Sequence, residues 1–188
     1  KNTTAAIYLA AKESKKTDHL FIMPSDHLIP ELHYFKKVIK EINDLDTLNN
    51  WLIFGIKPSI PSEAYGYIQT DKIDENKLLN VNFFIEKPTK AKAEELLLNN
   101  GVFWNAGMFF ARSNTIISSI KKHASKIASS CDIACSSKII LKNNNYITYK
   151  DELFKQIPSK SIDYTIMEVE KNIKLFPLNM KWSDVGSW

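Results

Sequence analysis

Arg112 is the only arginine among 25 Lys and Arg residues, so the net charge of +4 rests almost wholly on lysine. Nucleic-acid readers cluster arginine and lysine along one face. These lysines are spread through the chain, and no nucleic-acid partner is expected. Cysteine is equally sparse. Cys131 and Cys135 stand four residues apart, and the nearest histidine, His123, lies eight residues before the first of them. Without a third ligand they read as two reduced thiols, which suits a cytoplasmic protein. No apolar run approaches the ~18 residues of a membrane span, and no signal peptide is recognisable at the start. Neither a membrane partner nor export is expected. Phosphate-cradling glycine motifs are missing as well: there is no G-x-G-x-x-G and no G-x-x-x-x-G-K-[ST], hence no dinucleotide fingerprint and no P-loop. No G-x-S-x-G supports a serine nucleophile. His19, His27, His33 and His123 have no metal-ligand spacing. No internal repeat occurs.

What is present is ordinary globular material, 44% hydrophobic and 24% charged over 188 residues, enough for one domain or a tight pair. The opening "KNTTAAIYLAAKES" reads as a helix with Thr3 or Thr4 as N-cap. Residues 20–24 read as a strand. "PELHYFKKVIKEIND" has proline at a first helical position and apolar Leu32, Phe35, Val38, Ile39 and Ile42 at helical spacing. The fully apolar "WLIFGIKP" reads as a strand buried on both faces. Residues 58 to 82 break the pattern and read as an antiparallel excursion at the end of the sheet, closed by "VNFFIEKP". "TKAKAEELLLNN" predicts a helix ending near Gly101. "GMFFARS" predicts a strand feeding a helix capped by Ser113 or Asn114. Residues 118 to 145 read as polar helices and a loop, "SIDYTIMEVEKN" as a helix with Ile162, Ile166 and Val169 inward, and "IKLFPLN" as a last strand. Strands alternating with helices predict a three-layer α/β/α fold on a mixed, mostly parallel sheet.

Four stretches carry polar groups where apolar strands end. In "LFIMPSDHLI" a strand runs into Asp26. Ligands sit outside the carboxyl ends of strands in open α/β sheets, although a turn aspartate bonding its own backbone remains open. In "FFIEKP", Glu86 could accept sugar hydroxyls and Lys87 could meet a phosphate; a solvated strand end is the alternative. In "WNAGMFF", Asn105 sits among small residues that allow close backbone approach, or bonds its own backbone in a tight turn. In "KWSDVGSW", Asp184 follows a short strand, and Gly186 between two tryptophans suggests a packed turn. Asp26 and Asp184 could share one Mg²⁺, which takes one or two carboxylates and completes its shell with phosphates and water. The "DLD" at 44–46 matches a D-x-D glycosyltransferase pattern but lies in a polar stretch, and reads as a solvated loop.

These stretches, with "KNTTAAIYLAA", "FGIKPSIPSEAYGYI", "FIEKPTKAKAEELL", "WNAGMFFARSNTI" and "SIDYTIMEVEKN", run in order from end to end of the chain. Together they resemble the nucleotidyltransferase domain of bacterial mannose-1-phosphate guanylyltransferases, the bifunctional mannose-6-phosphate isomerase type included. The resemblance implies a Rossmann-like nucleotide-diphospho-sugar transferase fold over residues 1–188. It implies an enzyme that joins GTP and mannose 1-phosphate into GDP-mannose and pyrophosphate, with Mg²⁺. By that resemblance Asp26 and Asp184 hold the metal. Tyr65 and Gly66 line the sugar pocket, Glu86 takes mannose hydroxyls, Lys87 the sugar phosphate, and Asn105 with Gly107 the other side of the ring. Asn2 falls in the segment nearing the nucleotide.

The sequence departs from the family in two places. The family's opening strand, its "GxGTRLWP" loop and the lysine of "PKQ" do not occur, and Lys1 stands where the family has the arginine of "RNTAPAI". An N-terminally truncated domain is therefore expected, inactive alone and leaving "LFIMP" and "WLIFGI" along an unpaired sheet edge. A sugar-phosphate-binding fragment, or one half of a split enzyme, is the alternative to a complete catalyst. A homo-oligomer or a separately encoded N-terminal segment is the expected protein partner. Ala64 also replaces the first glycine of the family's "GYGYI".

Overall fold

The computed structural model describes residues 2–43, 49–71, 78–141 and 146–184. The "DLD" stretch, Gly186 and Trp188 lie outside them. In chain order the elements are α1 (Thr3–Glu13), β1 (His19–Ile22), β2 (His27–Leu28), α2 (Leu32–Asn43), β3 (Trp51–Ile56), β4 (Tyr67–Thr70) and β5 (Leu79–Ile85). Then follow α3 (Lys90–Leu97), β6 (Val102–Arg112), α4 (Ser113–His123), α5 (Ser125–Cys135), β7 (Ile139–Leu141), β8 (Tyr146–Thr148) and α6 (Asp151–Gln156). A π-helical turn (Asp163–Met167), β9 (Ile173–Leu178) and β10 (Ser183–Asp184) close the chain. Two compact units form, one from residues 1–19 with 112–170, the other from residues 20–111 with 171–188.

The first unit is mainly helical. α1 begins as its composition predicts, but the cap is Asn2, whose carboxamide oxygen accepts the Thr3 N–H at 2.8 Å. Both threonines are used elsewhere: Thr3 Oγ1 accepts the Ile162 N–H, and the buried Thr4 and Thr165 hydroxyls share a 2.8 Å hydrogen bond. Tyr8 is fully buried and donates to Asp132, which also pairs with Lys12 at 3.0 Å. α4 lacks the predicted serine cap, because Ser113 Oγ donates to the Asp18 carbonyl instead. Ile162 and Ile166 are buried as their spacing predicts. Val169 is 48% exposed, since the π-helical turn shifts it off the inward face.

The second unit holds a six-stranded sheet in the order β1-β6-β3-β9-β5-β4. Every residue of β3 is buried, as its uniform apolarity predicts. Phe35, Val38 and Ile42 of α2 join the core around the sheet, while Leu32 is 56% exposed at the first turn. The α/β class with a mixed sheet holds, but the expectation of mostly parallel pairing needs correction. β3 and β9 run parallel, whereas β3–β6, β4–β5, β4–β6 and β5–β9 run antiparallel. The cause is the excursion itself. β4 and β5 form the expected antiparallel pair at the end of the strand order, and β4 also pairs with the first half of β6. "WLIFGI" is likewise no edge strand: β3 lies between β6 and β9, and only β1 of the two predicted edges ends the order.

Two consequences can be measured. Gly101 directly precedes β6 with φ at +78°, and a Cβ there would lie 2.7 Å from the backbone oxygen of Thr70, whose N–H donates to the Gly101 carbonyl. Gly101→Ala should therefore cost about 2–3 kcal/mol in urea unfolding, from left-handed strain and a rigid backbone clash; an unchanged midpoint contradicts this. In α5, burial pushes the Cys131 thiol up to about 12, with Cys135 and Asp132 adding to it. The Cys135 thiol is also raised, again mainly by burial. Both should resist iodoacetamide at pH 8 in the folded chain and react after unfolding, which mass spectrometry reads directly. Rapid labelling of folded Cys131 would contradict its environment.

Candidate functional site

The site grows from one irregularity in β6. Phe109 and Phe110 pair with Ile53 and Leu52, but Asn105 and Trp104 pair with Gly55 and Ile56, so the register slips by two residues between these pairs. The slack is taken up at Ala106–Met108, where Gly107 adopts φ +67°. Asn105 stabilises this bulge, its side-chain oxygen accepting the Gly107 N–H at 3.0 Å. The tight-turn reading of Asn105 thus holds for its oxygen. Bulges re-aim side chains and are over-represented beside active sites.

Beside the bulge, Gly66 has no room for a side chain. The Asn105 N–H donates to the Gly66 carbonyl at 2.8 Å. A Cβ on Gly66 would stand 2.6 Å from Glu86 Oε2 and 3.3 Å from Asn105 Cβ. Gly66, Glu86 and Asn105 therefore touch, although they come from three separate segments. The Glu86 side chain is only 8% exposed, and its Oε1 lies 2.6 Å from Lys87 Nζ. Lys87 is the only described non-glycine residue with positive φ, at 47°, and it precedes Pro88. Proline disfavours helical backbone in the residue before it, so this turn is strained. Such strain persists where the surroundings over-determine it, often at functional sites.

A second layer of contacts carries the cluster towards the aspartates. A Cβ on Gly107 would lie 3.2 Å from both His27 Cε1 and Pro24 Cγ. Trp182 Nε1 donates to His27 Nδ1 at 3.1 Å, and the rings meet edge to face at 5.0 Å. Tyr65 packs on Trp104 and Trp182 with ring centroids 5.0 and 5.2 Å away. The segment bearing Trp182 is tied to the start of α2, since Glu31, just before the helix, accepts the Lys181 N–H and the Tyr34 hydroxyl within it accepts the Asn179 N–H. β10 then pairs antiparallel with β2, setting Asp184 opposite His27. Asp26 is the next residue, so the two aspartate Cα atoms stand no more than roughly 9 Å apart. Both side chains are exposed. Among the described residues no group of three His, Cys, Asp or Glu could hold a metal. Two carboxylates do not make a closed structural site, but they suit Mg²⁺, which keeps water and phosphate ligands.

Of the residues singled out in the sequence, Tyr65, Gly66, Glu86, Lys87, Asn105, Gly107, Asp26 and Asp184 all lie in this one unit and are joined by the contacts above. Asn2 lies in the helical unit, where its carboxamide oxygen caps α1. His27, Trp104 and Trp182 were not singled out, yet they link the bulge to the aspartates. The available signal was adjacency alone: each directly neighbours, or stands two residues from, a chosen residue.

Residues 1–188 match the nucleotidyl transferase family. The chain belongs to that family. Within it, a mannose-1-phosphate guanylyltransferase of Sinorhizobium fredii is 32% identical over all of this chain and 37% of its own length. One from Escherichia coli K12 is 30% identical over all of this chain and 41% of its own. The chain thus spans about two fifths of the curated relatives it matches. A crystal structure described as mannose-6-phosphate isomerase, from Helicobacter pylori, is 34% identical with a TM-score of 0.88, covering 98% of this chain and 71% of that one. No helix among the described residues is long and apolar enough to cross a membrane.

Gly66→Ala tests the packing of this nucleotidyl transferase site. Its methyl group must displace the Glu86 carboxylate, which is nearly buried and cannot swing freely. A loss of about 1–3 kcal/mol in stability is expected, with a crystal structure of the variant showing Glu86 moved from Lys87. An unmoved carboxylate would contradict the assigned contact.

Proposed function

We propose that this chain carries the sugar-phosphate side of a mannose-1-phosphate guanylyltransferase, joining GTP and mannose 1-phosphate into GDP-mannose and pyrophosphate. The observation that carries the reading is the meeting of Gly66, Glu86 and Asn105 at the β6 bulge, next to the ribbon that pairs Asp184 with His27. Glu86, held nearly buried, accepts hydroxyls of the sugar, and Asn105 with Gly107 presents backbone and carboxamide to the other side of the ring. Tyr65 closes the apolar wall. Lys87, 57% exposed at its side chain, offers its ammonium to the phosphate. Asp26 and Asp184 would hold Mg²⁺, which would supply neutralisation of the phosphate charges.

The reaction asks little of side chains beyond alignment and charge. An oxygen of the sugar phosphate attacks the α-phosphorus of GTP, a new P–O bond forms, and pyrophosphate leaves with the electrons of the broken bond. The triphosphate needs a row of N–H donors and basic groups. In the family these come from a glycine-rich loop, and the second reading is a sugar-phosphate-binding half that turns over only together with such a segment. GDP-mannose made this way would feed cell-surface polysaccharide assembly in the cytoplasm, a compartment in keeping with two free thiols.

Joined to the family's glycine-rich segment, residues 1–188 should form GDP-mannose; the chain alone should release no pyrophosphate. In the joined protein Lys87→Ala should raise KM for mannose 1-phosphate by about tenfold or more while leaving KM for GTP in place, as loss of one charge-assisted contact requires. Asp26→Asn and Asp184→Asn should each lower kcat by at least about a hundredfold. Release of pyrophosphate by the chain alone, or an unchanged KM in the lysine variant, would contradict the assignment.

A further inference from the structure

We propose that the helical unit holds a second ligand site, a cavity at the start of α5 that takes a phosphate monoester with an apolar or aromatic body between Lys126 and Lys160. It shares no residue with the sugar-phosphate subsite and does not depend on that reading. The cavity encloses about 290 Å³. One side is formed by His123, Lys126 and Ile127 at the junction of α4 and α5, the other by Pro158, Lys160 and Thr165 of the π-helical turn and the segment leading into it. Small-molecule sites run from about 300 Å³ upward, so this one suits a compact ligand.

The walls are held by contacts of their own. The Lys160 carbonyl accepts the Thr4 N–H and Thr3 Oγ1 accepts the Ile162 N–H, so α1 anchors the segment on both sides of Ser161. Thr165 spends its hydroxyl on Thr4 and on the Ser161 carbonyl. His123 Nε2 lies 3.2 Å from Glu170 Oε2, which also receives the Ser119 hydroxyl at 2.8 Å. That carboxylate is nearly buried and fixes the imidazole as a wall. π-helical turns occur often at functional sites. The floor is apolar, with Ile127 buried and Pro158 half-buried. Since the Thr165 hydroxyl is already engaged, a hydroxyl-rich body finds no partner there. The rim is cationic, because Lys126 and Lys160 are both exposed. Elsewhere in this unit Lys12 and Lys121 pair with Asp132, and Lys138 pairs with Glu13. Among the described residues neither Lys126 nor Lys160 has an ion-pair partner. Two unmatched cations over an apolar floor fit an anion with an apolar body. A phosphate monoester brings nearly two negative charges and three acceptor oxygens at neutral pH, so a single group can meet both ammoniums. A carboxylate brings one charge.

The test follows the Ile127 and Thr165 amides by NMR in the 188-residue chain, titrated with phenyl phosphate as the probe. Both should shift along one saturation curve. Lys126→Gln and Lys160→Gln should each weaken affinity by about tenfold, and the two together by about a hundredfold. Lys122→Gln removes the same charge from an exposed residue of α4 outside the cavity. It should leave affinity within about twofold, and thermal unfolding should be alike in all these variants. Benzoate and inorganic phosphate should each bind at least about tenfold more weakly, the first for want of charge and the second for want of a body. Mannose 1-phosphate, whose body is covered in hydroxyls, should leave both amides in place. The proposal is overturned if phenyl phosphate shifts neither amide, or if the Lys122 variant loses as much affinity as the cavity variants. It is equally overturned if benzoate, inorganic phosphate or mannose 1-phosphate binds there as tightly as phenyl phosphate.

Discussion

A two-residue slip between β3 and β6 is the constraint on which the rest of the site depends. β6 must serve two neighbours: Trp104 faces Ile56 of β3 on one side and Tyr67 of β4 on the other. Past that point the pairing with β3 has to be regained in a new register, and the excess chain collects at Ala106–Met108. Only a residue tolerant of positive φ can sit at the centre of the excess, and only a short acceptor side chain can hold its freed N–H. Gly107 and Asn105 meet those two demands. The bulge then turns the Asn105 backbone towards Gly66 and sets Gly107 against His27, so sheet geometry and site geometry have one cause.

The same economy runs through the ribbon of β2 and β10. Two strands of two residues each are too short to be stable by pairing alone. Their persistence follows from contacts outside the ladder: the indole-to-imidazole hydrogen bond, the edge-to-face contact of Tyr65 with Trp182, and the N–H groups of residues 179 and 181 held by Tyr34 and Glu31. These fix the spacing of two exposed carboxylates that would otherwise repel one another. Burial elsewhere in the unit supplies the rigidity, since Trp51, Leu52, Ile53 and Phe54 are all fully buried in β3 and each contributes roughly 1.5–3 kcal/mol.

Much of this was legible in the sequence, for physical reasons that can be named. Uniform apolarity announced β3, and 3.6-residue spacing placed Phe35, Val38 and Ile42 inward on α2. Polar residues at strand ends marked Asp26, Glu86 and Asn105. The family resemblance, which the match over residues 1–188 bears out, added Gly66, Tyr65 and Gly107. What stayed hidden depends on long-range pairing. No local signal says that β4 returns to β6, so the sheet was expected to be mostly parallel and β3 to lie at an edge. Helix caps failed for the same reason: Thr3, Thr4 and Ser113 were drawn to partners far along the chain, leaving Asn2 to cap α1. His27 and Trp182 became visible only when two segments 155 residues apart met.

The central claim is that the bulge, Gly66 and the paired ribbon form one sugar-phosphate subsite within the second unit. Amide NMR of the labelled chain during titration with mannose 1-phosphate tests it most directly. The account predicts that the amides of Gly66, Asn105 and Gly107 and the Trp182 indole shift together along one saturation curve, while those of α5 stay in place. Independent curves for these groups, no shift at Gly66 and Gly107, or shifts confined to the helical unit would contradict it.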